Sequence, residues 1–214
     1  SVDRLARTDG TNMLSNVTHC SNSGNITINN GSYNGTSDNV MQMAGGVIGI
    51  FFNNNRKATA EYWTNSGNIT IDGVFTKQQC RMGGVAGWIY SNGFNHCTNT
   101  GNLTFNSGSF ATTYLGGVVG YAANDSAINN ALNKGKVIVK KEAKQTAGLV
   151  VGGVSGYSQS EGDSTIGHLA DCVNYGEINI EANMIENTAQ NYFRVGGIAG
   201  WSQCYVDGCT NNAD

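Results

Sequence analysis

The chain repeats itself along its whole length, and that limits it to folds that grow by stacking one unit on the next. A first motif reads Cys20-Ser21-Asn22-Ser23-Gly24-Asn25-Ile26-Thr27-Ile28. It returns from Trp63 to Ile71 and from Cys97 to Phe105, then in looser form from Ala131 to Val139 and from Cys172 to Ile180. A sixth copy begins at Cys209-Thr210-Asn211. Between the copies lies a second motif, Gly45-Gly46-Val47-Ile48-Gly49, which recurs at Gly83–Gly87, Gly116–Gly120, Gly152–Gly156 and Gly196–Gly200. A third element, three residues before the first motif, is always apolar: Val17, Ala60, Phe94, Ile128, Leu169 and Val206.

Measured from Cys20 onward the period runs 43, 34, 34, 41 and 37 residues. The variation falls in polar stretches, Asn29 to Asn39, Lys140 to Gln145 and Glu181 to Gln190, which read as loop insertions on a fixed core.

After the glycine of the first motif the pattern alternates polar and apolar, as in Asn25-Ile26-Thr27-Ile28. That is a half-buried strand. The glycine motif is too short and too glycine-rich for a helix, at about 1 kcal/mol per glycine, and reads as a second strand. The short apolar element is a third. Three short strands cannot close a core alone, but stacked coils can, with equivalent strands about 4.8 Å apart. The expected fold is all-β: a parallel β-helix (β-solenoid) of about five coils with three short strands each. Its expected hand is right-handed, by the preference of parallel crossovers. Residues 1–214 form one repeat domain on this reading, cut from a longer stack, because the sixth copy lacks its strand and neither end carries a cap.

Composition agrees. Only 13% of residues are charged, proline is absent, and glycine reaches 30 residues. Low charge argues against disorder, and frequent Gly, Asn, Ser and Thr argue for tight turns. A net charge of −3 leaves no clustered positive field for nucleic acid. The run Lys134, Lys136, Lys140, Lys141 and Lys144 reads as a solvated loop. No apolar stretch is long enough for a membrane helix, and Ser1-Val2-Asp3-Arg4 opens no signal peptide.

Two files of equivalent residues stand out. Asn22, Asn65, Asn99, Asn133, Asn174 and Asn211 share one slot. Asn tolerates left-handed backbone angles and bonds locally, so stacking would align them in an amide ladder, with the Gly two positions on supplying a further unusual angle. Trp88, Tyr121, Tyr157 and Trp201 follow the glycine motif in consecutive coils, with Ile50 before them. Facing out, they would form a stacked platform for sugar rings; packed into a corner, they would be structural.

The Gly-[Val/Ile]-x-Gly segment followed by a spaced Asn-x-Gly-x-apolar strand resembles the GLUG-motif repeat, with Val or Ile where that motif has Leu. The resemblance covers nearly the whole chain. It implies a β-solenoid region of large secreted or surface bacterial proteins, adhesin-like proteins and the non-catalytic part of immunoglobulin A-type metallopeptidases among them. It implies no particular activity, because the motif is architectural.

The remaining chemistry is sparse. Cys20, Cys97, Cys172 and Cys209 share their slot with Trp63 and Ala131, which marks a buried apolar position. Of these only Cys172 and Cys209 fall in adjacent coils, Cys204 and Cys209 are close enough in sequence to pair, and Cys80 stands alone. No Cys-x-x-Cys spacing points to zinc. His19 and His96 share a slot with Tyr62 between them, about 10 Å apart and too far to share a metal, and His168 is isolated. No metal or cofactor is expected.

Glu161 with Asp163, and Glu181 with Glu186, lie in loops, and no spacing singles out a carboxylate pair. Ser155 occupies a repeat slot rather than a nucleophile elbow. The sequons at Asn16, Asn25, Asn68 and Asn102 read chiefly as the outward face of the repeated strand. The Thr27, Thr70 and Thr104 file, a candidate ice-binding array, is broken by Ile138 and Asn179.

The expectation is a non-catalytic extracellular or cell-surface scaffold for adhesion or display. It would contact a host or cell-surface glycan or protein, with no nucleic acid and no membrane insertion, and would associate end to end. The competing expectations are a carbohydrate-active β-helix enzyme, of polysaccharide lyase or glycoside hydrolase type, and the repeat region of a secreted metallopeptidase.

Overall fold

The computed structural model describes residues 16–30, 42–52, 58–75, 79–91, 93–109, 112–124, 126–140, 144–145, 148–160, 167–181, 183–184 and 193–213. Lys141, Glu161, Asp163, Glu186 and most of the expected insertions lie outside these residues. Every described element is a strand, and every pairing between strands is parallel. The fold is a β-solenoid.

One coil shows the plan. The chain runs through Thr59–Glu61, Thr64–Asn65, Ile69–Phe75, Cys80–Gly83 and Ala86–Tyr90 before the next coil begins at Gly93. These five segments belong to five stacks, here A to E in chain order, each of which repeats in register from coil to coil. Register follows the sequence repeat. In stack B, Asn65 pairs with Asn22 on one side and Asn99 on the other. In stack C, Leu103 pairs with Ile69 and Val137. Stack C also takes in two further short strands, Lys144–Gln145 and Asn183–Met184.

Three sequence elements thus become five strands per coil. The first motif supplies both B and C. The glycine motif is not one strand: the chain bends at Gly46-Val47 and its equivalents, so that D ends at the first glycine and E starts after the valine.

The stacks enclose three side-chain clusters. Alternate residues of C and D, among them Ile69, Ile71, Phe105, Met82 and Leu115, pack together. Val85, Ala86 and Ile89 of the bend and E pack against Ala60, Phe94 and Trp63 around A. The third cluster joins the other faces of D and E, and includes Tyr114, Val150, Tyr121 and Tyr157. From Ala86–Tyr90 onward each E strand contacts the D strand of its own coil and that of the coil before. The glycines of E make this approach close: a Cβ on Gly120 would lie 2.6 Å from Met82 N and 2.7 Å from Gly87 O. The slot after the conserved Val, just past the bend, is fully buried at Ala86, Val119 and Ser155.

The unusual backbone angles sit elsewhere than expected. Neither the ladder asparagines nor the glycines that follow them have positive φ. The left-handed position is three residues earlier, between A and B: His19, Tyr62, His96, Asn130, Asp171 and Gly208 have φ between 53° and 61°. Glycine follows the ladder asparagine for want of space. A Cβ on Gly101 would overlap the Gly67 carbonyl of the coil before.

Candidate functional site

The ladder residues form one continuous file. Nδ2 of Asn22, Asn65, Asn99, Asn133 and Asn174 donates to Oδ1 of the next asparagine at 2.8, 2.9, 2.9, 2.8 and 2.7 Å, ending on Asn211. Each Nδ2 also donates to the carbonyl of the glycine two residues on, as from Asn99 to Gly101 at 2.7 Å. That glycine's N–H returns a bond to Oδ1 at 3.2 Å. Asn65, Asn99, Asn133 and Asn174 are buried, and a buried amide so bonded leaves no donor or acceptor for a ligand.

A second file lies on the surface. Oδ1 of Asn25, Asn68 and Asn102 accepts the backbone N–H of Asn68, Asn102 and Lys136, each at 2.9 Å. These are the asparagines of three sequons. Lys136 also pairs with Glu177 across coils at 2.7 Å, both half-exposed, a contact of under about 1 kcal/mol.

The aromatic row is in register: Trp88 pairs with Tyr121, Tyr121 with Tyr157, and Tyr157 with Trp201. It is not a platform open to solvent. Tyr121 and Tyr157 are 8% and 6% exposed, and the row is wedged between D and E. Tyr114 of D meets Tyr121 edge-on at 5.1 Å and stacks on Tyr157 at 5.5 Å. Tyr157 stacks on Trp201 at 4.5 Å. The side chains of Tyr121 and Tyr157 fill the space between D and E, with Trp88 and Trp201 half-buried at either end of the row.

Two arginines of D share this wedge. The Arg81 guanidinium lies 4.6 Å from the Trp88 ring centre and 3.8 Å from that of Tyr121. Arg194 lies 3.7 Å over Trp201. Arg81 is 5% exposed. Its Nη2 donates to Gln79 at 3.0 Å, while its Nε and Nη1 and the Trp88 indole N–H have no hydrogen-bond partner. Burial pulls this guanidinium below its ordinary value, opposed by Tyr121 and Tyr114. The ring faces stand where a carboxylate would otherwise be.

The sequence reading missed this D column, although a signal existed. Met43, Arg81, Tyr114, Val150 and Arg194 each stand seven residues before Ile50, Trp88, Tyr121, Tyr157 and Trp201. Their chemistry changes from each coil to the next, so composition hid a constant offset.

His19, Tyr62 and His96 are brought together at the left-handed corner. Their rings stack at 5.1 and 5.0 Å with interplanar angles of 19° and 7°, and all three are exposed. The intervening Tyr62 ring keeps the two imidazoles from meeting on one ion. Among the described residues no three His, Cys, Asp or Glu side chains converge as a metal group. His168 lies in stack A, paired with Tyr205. No helix among the described residues is long and apolar enough to cross a membrane.

Cys97 and Cys172 are fully buried in the slot they share with Trp63 and Ala131. The slot has a recurring bond to the coil before: Trp63 Nε1 donates to Val17 O at 2.8 Å, and the thiols of Cys172 and Cys209 to Ile128 O and Leu169 O at 3.5 and 3.4 Å. Burial pushes the Cys80 and Cys97 thiols up to about 12. Cys204 and Cys209 do not meet. The strand Tyr205–Asp207 separates them, and its length of about 10 Å exceeds disulfide reach.

No family model, no curated protein and no solved structure matches this chain.

Proposed function

We propose that this chain is a non-catalytic repeat scaffold, working outside the cell or on its surface, that spaces or displays a contact to a glycan or protein. The observation that carries this reading is the unbroken amide file from Asn22 to Asn211. A site on a solenoid is made where one coil departs from its neighbours. Here the ladder asparagines are bonded to their own equivalents above and below, and the aromatic row with Arg81 and Arg194 is spent between D and E. What such bonding yields grows with coil number: length, stiffness and a regular surface.

The resemblance to GLUG-motif repeats supports the same placement and an adhesin-like role. Length variation concentrated in the polar stretches between the repeated motifs would let contacts vary while the core stays fixed.

The test is twofold. Immobilised protein should retain host cells or a subset of an arrayed glycan panel. The same protein should leave a panel of polysaccharides at full length, read by size exclusion and reducing-end assay. Release of oligosaccharide, abolished by changing an acidic pair, would replace this reading with a carbohydrate-active enzyme.

A further inference from the structure

We propose that Cys172 and Cys209 are the two halves of an inter-coil disulfide, a staple between consecutive coils at the start of stack B. Four observations converge on this pair.

The first is register. Ala170 pairs with Asp207 and Val173 with Thr210, which sets Cys172 directly against Cys209. Parallel neighbours hold their Cα atoms about 4.8 Å apart, inside the separation a disulfide spans.

The second is contact. The Cys172 N–H donates to Cys209 Sγ at 3.4 Å, so the Cys209 sulfur is turned toward the coil that carries Cys172.

The third is reactivity. Hydrogen bonding to Cys172 holds the Cys209 thiol below the ordinary thiol range, while hydrogen bonding to Cys209 and burial raise that of Cys172. Cys209 is half-buried and Cys172 fully buried. A reachable thiolate beside a sequestered thiol is the arrangement of an attacking and a resolving cysteine.

The fourth is exclusion. Within this slot Trp63 stands between Cys20 and Cys97, and Ala131 between Cys97 and Cys172. Cys80 is in stack D. Of the slot's cysteines, only Cys172 and Cys209 have a cysteine in the adjoining coil.

The chemistry needs a disulfide oxidant. Cys209 thiolate attacks one sulfur of a small-molecule disulfide such as oxidised glutathione, forming a mixed disulfide and releasing one glutathione thiolate. Cys172 gives its proton to solvent and displaces the second glutathione from Cys209. Two protein thiols and one glutathione disulfide become one protein disulfide and two glutathione thiols.

The purified chain is incubated with oxidised glutathione at about pH 8, where thiolate forms readily on a reachable cysteine, then alkylated without reduction and mapped by peptide mass spectrometry. The expected product is a Cys172–Cys209 crosslink, the chain lighter by about 2 Da and restored by dithiothreitol. Amide exchange at Thr210, whose N–H donates to Cys172 O at 2.9 Å, should slow on oxidation. Cys209→Ser should leave Cys172 unmodified under the same treatment, and Cys172→Ser should halt at the glutathione adduct on Cys209. Six free thiols, a different pairing, or a lasting Cys209 adduct beside a free Cys172 in the unsubstituted chain would each overturn the proposal.

Discussion

Gly84 and Asn99 occupy one space: a Cβ at position 84 would overlap the Asn99 side-chain amide and the Gly117 carbonyl. The bend between D and E therefore rests on the amide file of the following coil. The same contact recurs between Gly46 and Asn65, Gly117 and Asn133, Gly153 and Asn174, and Gly197 and Asn211. The two sequence motifs, read separately along the chain, are halves of one packing unit. Gly84→Ala should therefore cost about 3 kcal/mol, the upper part of the range for overpacking, because the overlap is with backbone as well as side chain. Gly24→Ala is the control. Its nearest neighbour would be Asn22 Oδ1 at 3.7 Å and its φ is not left-handed, so it should gain about 0.5 kcal/mol. Urea unfolding of both variants checks the contrast, and equal effects would mean that the bend can shift.

Asn133 is bonded on all sides. It donates to Gly135 O and Asn174 Oδ1 at 2.8 Å each, and accepts from Asn99 Nδ2 at 2.9 Å and Gly135 N at 3.2 Å. Asn133→Ala would strand buried groups on three residues and should lower stability by about 3 kcal/mol. Asn133→Asp should cost as much or more, because a carboxylate cannot donate to Asn174 Oδ1. The half-exposed terminal residue Asn22 should lose under about 1 kcal/mol on the same change to Ala. A flat response along the file would show that its amides are interchangeable with water.

Much of this fold was legible because a parallel stack in register turns equal positions in the repeat into neighbours in space. Asn65 and Asn99 share a slot in the sequence and bond in the structure. The strand count was not legible. Gly-Gly-Val-x-Gly reads alike whether straight or folded back; the strand boundaries show the bend, and a Cβ on Gly120 would clash with Met82 of the preceding D strand. The side of the aromatic row was hidden for a related reason. Trp88 and Tyr121 follow glycine motifs, and what covers them is Arg81 over both rings and Tyr114 against Tyr121, from a D column whose residues share spacing while their chemistry changes from each coil to the next. The left-handed corner was assigned to asparagine on propensity, yet the fold places His19, Tyr62 and His96 there.

Tyr62 and Trp63 are consecutive and should respond oppositely. Trp63 is 1% exposed, packs edge-on to Phe51 and Phe94 and donates to Val17 O. Trp63→Ala should cost about 4 kcal/mol. Tyr62 is 47% exposed with φ of 58°. Tyr62→Gly gives up ring stacking with His19 and His96 but relieves left-handed strain of about 1–2 kcal/mol, so the net change should stay within about 1 kcal/mol. The slot already holds Gly208 at φ 61° in a later coil. A loss at Tyr62 comparable with that at Trp63 would make the exposed ring file a principal support of the corner.

Arg81 supplies the last test, because here removing a charge should help. Its guanidinium is buried, its Nε and Nη1 lack hydrogen-bond partners, and among the described residues no carboxylate pairs with it. The Trp88 and Tyr121 faces return about 1–2 kcal/mol of cation–π attraction. Burying an ion commonly costs more than that, and an apolar side chain of similar length avoids the cost. Met43 fills the same position one coil earlier, paired in register with Arg81, so methionine suits this wedge. Arg81→Met should leave strand content unchanged and raise the unfolding free energy by about 1 kcal/mol. Tyr121→Ala should do the reverse, losing about 3 kcal/mol, since it opens the wedge and leaves the cation with one ring. If Arg81→Met destabilises the fold by as much as Tyr121→Ala, the cation holds D against E, and the aromatic row alone does not.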